Sequence, residues 1–286
     1  MSFKYKDDCR FNCTQLRVKE IDELSETEII KQNYDALWLE RGQFDKMAEL
    51  VAKHNFTFKY LNVYCWERQD ITWVNSLSSL EYLQLDGTYK GVIDFSLLPN
   101  LKAVELQFDK STKGILNSGG NIESIFLCKF KGSLHDFDEN TIRDIKTLGL
   151  DGGTLTNLEG IEKFTNLKEL SISRLMKLTN IDCLAKCEKV EHLEIDSCNK
   201  TENYGAFKKL TSLKDFQFSN KELPSLSLLP KETVERVVLG ERTKILDGNV
   251  ETFLEFPNLK RAVFRKMKDY KYSAIEIDEM MGLSKV

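Results

Sequence analysis

Residues 148–170 read LGLDGGTLTNLEGIEKFTNLKEL. With Ile145 just ahead of them, Leu148 and Leu150 set a spacing of apolar-x-x-apolar-x-apolar, and Leu167-Leu170-Ile172 opens the same spacing again. In an extended strand, residues two apart share a face, so Leu148 and Leu150 point to one side while Thr147, Gly149 and Asp151 point to the other. One strand of this kind has an apolar edge that it cannot bury alone. A neighbour with the same spacing, stacked against it, buries both.

That neighbour is present throughout the chain. The spacing stands at Tyr34-Leu37-Leu39, Phe58-Leu61-Val63, Leu80-Leu83-Leu85, Leu101-Val104-Leu106 and Ile122-Ile125-Leu127 before the quoted stretch, and Cys13-Leu16-Val18 extends it to the N-terminal side. After it come Val190-Leu193-Ile195, Leu213-Phe216-Phe218, Val234-Val237-Leu239 and Leu259-Ala262-Phe264. Successive first positions lie 21 to 25 residues apart. A period of this length held over a whole chain signals a stacked repeat. One register covers nearly all 286 residues, so a single domain is expected over 1–286. Its parts are an N-terminal cap with helical repeats over 1–57, regular repeats over 58–266, and a C-terminal cap over 267–286.

The quoted stretch resembles the leucine-rich-repeat family, in its short, internalin-like branch of about 22 residues. The positions that carry the likeness are Leu148, Leu150, Leu155, Leu158, Ile161, Phe164 and Leu167. The resemblance implies an α/β solenoid: an arc of about 12 repeats, a parallel sheet on its concave face, and turns with short helical segments on its convex side. One feature departs from the family. It usually places Asn at position 9 of the repeat, where this chain has Trp66, Thr88, Asp109, Phe130, Gly153, Leu175 and Lys221, and only Cys198 is a familiar substitute. Irregular turns are therefore expected.

The two ends read differently from the middle. Ser25-x-x-Glu28 before Ile29 and Ile30 reads as a capping box opening a helix. Phe44, Met47, Leu50 and Val51 recur at helical spacing, and His54 falls at the end of that helix. Beyond Met267, Tyr272, Ile275 and Ile277 suggest a last short strand.

A net charge of −4 and a pI near 5.7 argue against a dedicated nucleic-acid binder, whose footprint is basic. The N-terminal MSFKYKDDCRFNC has acidic residues where a signal peptide needs apolar ones, and no apolar run reaches membrane-spanning length. The expectation is a cytoplasmic protein that does not engage membrane. Seven cysteines, an odd number, then stand as reduced thiols.

Motifs for chemistry are missing. There is no phosphate-binding loop, dinucleotide fingerprint or nucleophile elbow. Cys183, Cys187, His192 and Cys198 are zinc-type ligands, but their spacing is uncommon for zinc, and the repeat accounts for each separately. Cys9 and Cys13 carry even less. No catalytic residue, metal or cofactor is expected.

The outward positions 3, 5 and 7 of each strand remain. Trp38, Tyr60, Tyr64, Tyr82 and Phe126 place aromatic side chains on the early strands, and aromatics commonly anchor protein interfaces. From the second strand to the tenth these positions hold the carboxylates Glu40, Asp86, Glu105, Asp151, Glu169, Glu194, Asp196 and Asp215, with His192 among them and no lysine or arginine. A surface of one sign steers a partner of the other. Lys59, Lys102, Lys146, Lys168 and Lys214, at position 2, line one border and offset part of that field. The functional expectation is a non-enzymatic module holding a protein partner with a basic surface, as an inhibitor or immunity protein against a basic enzyme or toxin. The alternative is a regulatory or scaffold subunit of an enzyme such as a phosphatase.

Overall fold

The computed structural model describes residues 3–8, 13–41, 43–65 and 67–283, the first of these as backbone only. Cys9, Trp66 and the last three residues of the expected C-terminal cap lie outside the described residues. The chain forms two compact units, Met1–Cys128 with Phe137–Asp144, and Lys129–Asp136 with Ile145–Val286.

In the first unit the predicted triplets become strands β2 (Cys13–Val18), β3 (Ala36–Leu39), β4 (Tyr60–Cys65), β5 (Tyr82–Gly87), β6 (Ala103–Gln107) and β7 (Ser124–Phe130). They pair in parallel and in chain order, so Leu37, Leu61, Leu83, Val104 and Ile125 form one buried row. Leu39, Val63, Leu85, Leu106 and Leu127 form a second. Each such side chain contributes about 1.5–3 kcal/mol when taken fully from water, and period-2 alternation puts both rows on the inner face. Ahead of β2 stands β1 (Phe3–Asp8), paired antiparallel with it. This added strand extends the sheet beyond β2, and the triplet pattern did not contain it.

The first helix, α1 (Glu23–Lys31), corrects the expected capping box. Asp22 is the N-cap and accepts from Ser25 N at 2.8 Å, while Ser25 Oγ accepts from Asp22 N at 2.9 Å. Ser25 is thus the buried N3 residue of the box rather than its N-cap; the N-cap role falls to Asp22, whose carboxylate accepts from the free Ser25 N–H. Helix α2 (Phe44–Lys53) buries Phe44, Met47 and Leu50 and ends at His54, as the spacing predicts. Its free N–H groups are served from a later repeat: Gln69 Oε1 accepts from Gln43 N at 3.0 Å and from Phe44 N at 2.8 Å. After α2 the return segments tighten to 3-10 turns at Thr72–Ser76, Phe95–Leu97 and Lys113–Asn117, and α3 (Glu139–Arg143) completes the unit.

In the second unit β8 (Thr147–Gly153), β9 (Glu169–Ser173), β10 (His192–Asp196) and β11 (Asp215–Ser219) are followed by β12 (Glu222–Leu223), β13 (Arg236–Leu239), β14 (Lys244–Ile245) and β15 (Arg261–Val263). β8, β9, β10, β11, β13 and β15 pair in parallel in that order, and β12 pairs with β14 in a separate two-stranded sheet. Their 3-10 segments, such as Asp182–Lys186 and Gly205–Lys209, turn Leu184 and Phe207 into the core. Residues Ala274–Met281 form helix α4, not the expected strand. Ser273 and Glu276 make its capping box, and Gly282 ends it at φ 67°. The alternation of Ile275 and Ile277 misleads because the two do not share a face: Ile277 is buried and Ile275 is 65% exposed.

The missing position-9 asparagines are replaced turn by turn. Phe130, Leu175 and Cys198 fill the space and are fully buried. Tyr89, one position later, donates its hydroxyl to Asp86 O at 3.0 Å. Thr243 Oγ1 donates to Asn220 O at 2.7 Å. In one repeat Asn220, one position early, takes over the amide's work and holds the backbone of Cys198 from both sides. The turns are as irregular as expected, and those at Tyr89, Asn220 and Thr243 satisfy backbone groups that would otherwise cost stability.

Candidate interaction face

On the outward face of the first unit, position 5 of successive strands forms a row: Arg17, Trp38, Asn62, Gln84, Glu105 and Phe126. The Arg17 guanidinium lies over the Trp38 ring at 4.0 Å from its centroid, and its Nε is 2.5 Å from Glu40 Oε1. Tyr82 donates its hydroxyl to Glu105 Oε2 at 3.1 Å. Tyr60 and Tyr82 are register partners, as are Tyr64 and Asp86. Tyr60 is half-buried, and that burial, followed by the Glu81 charge, pushes its phenol up. The structure therefore brings Trp38, Glu40, Tyr60, Tyr64, Tyr82, Asp86, Glu105 and Phe126 onto one face, with Glu40 already paired and Asp86 exposed.

On the outward face of the second unit the carboxylates divide into two groups. Asp151 is gripped by both the Nε and an Nη of Arg174 and accepts from Ser173 Oγ. Asp215 accepts twice from Arg236 Nη1, at 3.0 and 2.7 Å, and lies 3.9 Å from His192 Nδ1. Those two are neutralised in place. Among the described residues Glu169, Glu194 and Asp196 have only hydroxyl donors, from Thr147 at 3.3 Å, Ser171 at 2.9 Å and Ser197 at 3.0 Å. They sit on the neighbouring strands β9 and β10, beside the exposed His192. The acidic count from outward positions thus overstates the field. Arg174 escapes that count because it stands at position 8, where a left-handed φ of 51° turns the chain and swings its side chain back over β8.

The lysine border is largely ion-paired within itself. Glu191 stands between Lys168 and Lys214, at 3.1 and 2.7 Å, and Lys260 reaches Glu235 at 2.6 Å. In the first unit Glu81 stands between Lys59 and Lys102. Glutamates interleave with the lysines at position 2, so ion pairing along this edge offsets part of its positive charge. Hydrogen bonds from Lys214 and Lys168 hold the Glu191 carboxyl down at about 2.

The four zinc-type ligands are not gathered. His192 is exposed on the outward face, whereas Cys187 and Cys198 are buried. Burial pushes the Cys187 thiol up to about 12 and the Cys198 thiol up to about 11, so neither is a ready thiolate.

Residues 127–238 match the sequence model of the leucine-rich-repeat domain of the endo-β-N-acetylglucosaminidase EndoS. An internalin of Listeria monocytogenes shares the fold, with a TM-score of 0.54 and 15% identity over 89% of this chain and 83% of the internalin chain. The chain has the leucine-rich-repeat fold. A leucine-rich-repeat protein of Leptospira interrogans aligns over 93% of this chain and 91% of its own, with a TM-score of 0.35 and 14% identity. No curated protein matches the sequence. Leucine-rich repeats commonly serve protein binding through the extended surface that their stacked strands create, and both units of this repeat chain present such a surface.

Proposed function

We propose that this leucine-rich-repeat chain is a non-enzymatic protein-binding module, and that the outward face of β9 and β10 holds a partner through a basic surface. The observation that carries the reading is the trio Glu169, Glu194 and Asp196: exposed or half-exposed carboxylates on adjacent strands, each held only by a hydroxyl. Fixed carboxylates with no cation of their own favour a partner that brings lysine or arginine, and such attraction acts mainly on specificity and association rate. The inhibitor or immunity role against a basic enzyme or toxin fits this demand, since covering a basic substrate-binding surface needs acidic complementarity. A cytoplasmic setting goes with it, in keeping with the unpaired thiols of Cys65, Cys187 and Cys198.

The test is capture of partner from host extract on the immobilised chain, then affinity of the purified partner for wild type and for the variant Glu169→Lys/Glu194→Lys/Asp196→Lys. The expected result is affinity at least tenfold weaker in the variant, with a flatter dependence on salt. If the partner is an enzyme, loss of its activity on binding marks the chain as an inhibitor. Equal affinity of the two proteins at low salt would refute the acidic-face reading.

A further inference from the structure

Seven buried side-chain nitrogen or oxygen atoms among the described residues lack a hydrogen-bond partner, and four of them fall on three consecutive members of one row: Arg17 Nε, Trp38 Nε1, and Asn62 Nδ2 and Oδ1. These residues are register neighbours on β2, β3 and β4. Arg17 Nε is close to Glu40 without the alignment of a hydrogen bond. The Asn62 carboxamide is 2% exposed and has neither donor nor acceptor satisfied. Folded proteins pair nearly all such atoms, and leaving one unpaired is costly. A cluster on the outward face of a sheet, where leucine or valine would pack without loss, calls for a group from outside the chain.

We infer that the row Arg17–Trp38–Asn62 is a subsite for the main chain of an extended peptide segment of the protein partner, a reading that rests on the protein-binding function proposed above. The atoms choose the class. A carboxamide that needs a donor and an acceptor at once is matched by a peptide unit, whose N–H meets Oδ1 and whose C=O meets Nδ2. The Trp38 indole N–H then donates to a neighbouring carbonyl. A carboxylate or phosphate offers Oδ1 nothing, and a cation offers Nδ2 nothing. A sugar could offer both, but stacking on the tryptophan is already taken on one side by the Arg17 guanidinium. Tyr60 and Tyr64, two residues either side of Asn62 on the same strand, flank the subsite and are half-buried. They are the side chains that a bound segment would displace or pack against.

The experiment uses the full chain against a phage-displayed library of random twelve-residue peptides, followed by titration of the enriched peptides into wild type, Asn62→Leu and Trp38→Phe. Expected are enriched peptides whose affinity falls about tenfold or more in each variant, and shifts of the Asn62 carboxamide and Trp38 indole resonances in the ¹⁵N spectrum on binding. Asn62→Leu without peptide is expected to raise Tm by about 2 °C, because it removes unpaired polar atoms from a buried position. A lowered Tm would make the amide structural and overturn the inference. Peptides that bind both variants as tightly as wild type would overturn it while leaving protein binding intact. Resonance shifts with chitohexaose and with no peptide would assign the subsite to sugar and overturn it. No enriched peptide, together with no captured partner for the acidic face, would overturn the protein-binding reading as a whole.

Discussion

Asn220 and Cys198 are joined by two hydrogen bonds across neighbouring repeats: Asn220 Oδ1 accepts from Cys198 N at 2.6 Å, and Asn220 Nδ2 donates to Cys198 O at 2.9 Å. The amide is 1% exposed and also meets the Tyr204 hydroxyl at 3.3 Å. It pins the turn after β10 to the turn after β11.

Asn220→Ala is therefore expected to lower stability by about 1–3 kcal/mol, since it leaves the buried Cys198 N–H unpaired, while Cys198 O keeps its hydrogen bond from Thr201 N at 3.2 Å. Urea unfolding followed by circular dichroism measures this. A loss within about 0.5 kcal/mol, the range of ordinary surface changes, would mean that the Cys198 N–H finds another partner.

Two adjacent glycines separate steric need from backbone need. Gly152 and Gly153 both have positive φ, 67° and 120°. A Cβ on Gly152 would meet nothing within 4 Å, while one on Gly153 would lie 2.1 Å from Phe130 O. Gly152→Ala is expected to cost about 1 kcal/mol, from the left-handed backbone alone. Gly153→Ala is expected to cost several times more, because the approach to the neighbouring backbone is closed. Similar Tm values for the two variants would contradict the close approach.

Glu191 links stability to pH. Its carboxyl titrates at about 2 when folded, against about 4.3 for an unperturbed glutamate. A depressed folded pKa means that the stabilisation is complete above the unfolded value and is lost as pH falls from about 4.3 through about 2. The expected outcome is a Tm difference between wild type and Glu191→Gln that is constant from pH 7 to pH 5 and closes as pH approaches 2. A constant difference down to pH 2 would show that the Lys168 and Lys214 pairing does not survive in solution. Salt should shrink the difference, since both lysines are exposed and Glu191 is partly so.

Thiol labelling tests the burial of the turn cysteines. Cys198 Sγ is fully buried and lies 3.3 Å from Asp196 O, to which it donates. Under native conditions Cys183, which is only half-buried, is expected to react with a maleimide well before Cys198. Cys198 should react only at the rate of opening of the repeat. Peptide mapping of the labelled chain reads the order, and simultaneous labelling of both would mean that this repeat opens readily.

The legible part of the fold is the part with a local period. Leu61 and Val63, or Leu193 and Ile195, announce a strand with one buried face by spacing alone. The recurrence of that spacing every 21 to 25 residues announces parallel stacking, because identical edges bury one another in register. The outward set, from Trp38 to Asp215, follows from the same alternation, and so did the helix at Phe44–Lys53. Where two periods overlapped the reading failed: Ile275 and Ile277 suggested alternation, although Ser273 and Glu276 already carried the capping signal of a helix.

Tertiary structure decided what each outward or turn residue does, because that depends on partners a full repeat away. Arg174 reaches Asp151 across 23 residues, Asn220 reaches Cys198 across 22, and Gln69 caps α2 from 25 residues downstream of Phe44. None of these distances is encoded by residue type. They follow from left-handed turns such as the one at Arg174 and from the lateral register of the strands. For the same reason the sequence showed eight carboxylates as one acidic face, whereas packing left Glu169, Glu194 and Asp196 without cations, and the Asn62 carboxamide without a hydrogen-bond partner, among the described residues. Burial is set by a short-range pattern of apolar side chains, so the sequence by itself determines it. Pairing is set by where stacked repeats bring distant polar groups, so only the folded chain decides it.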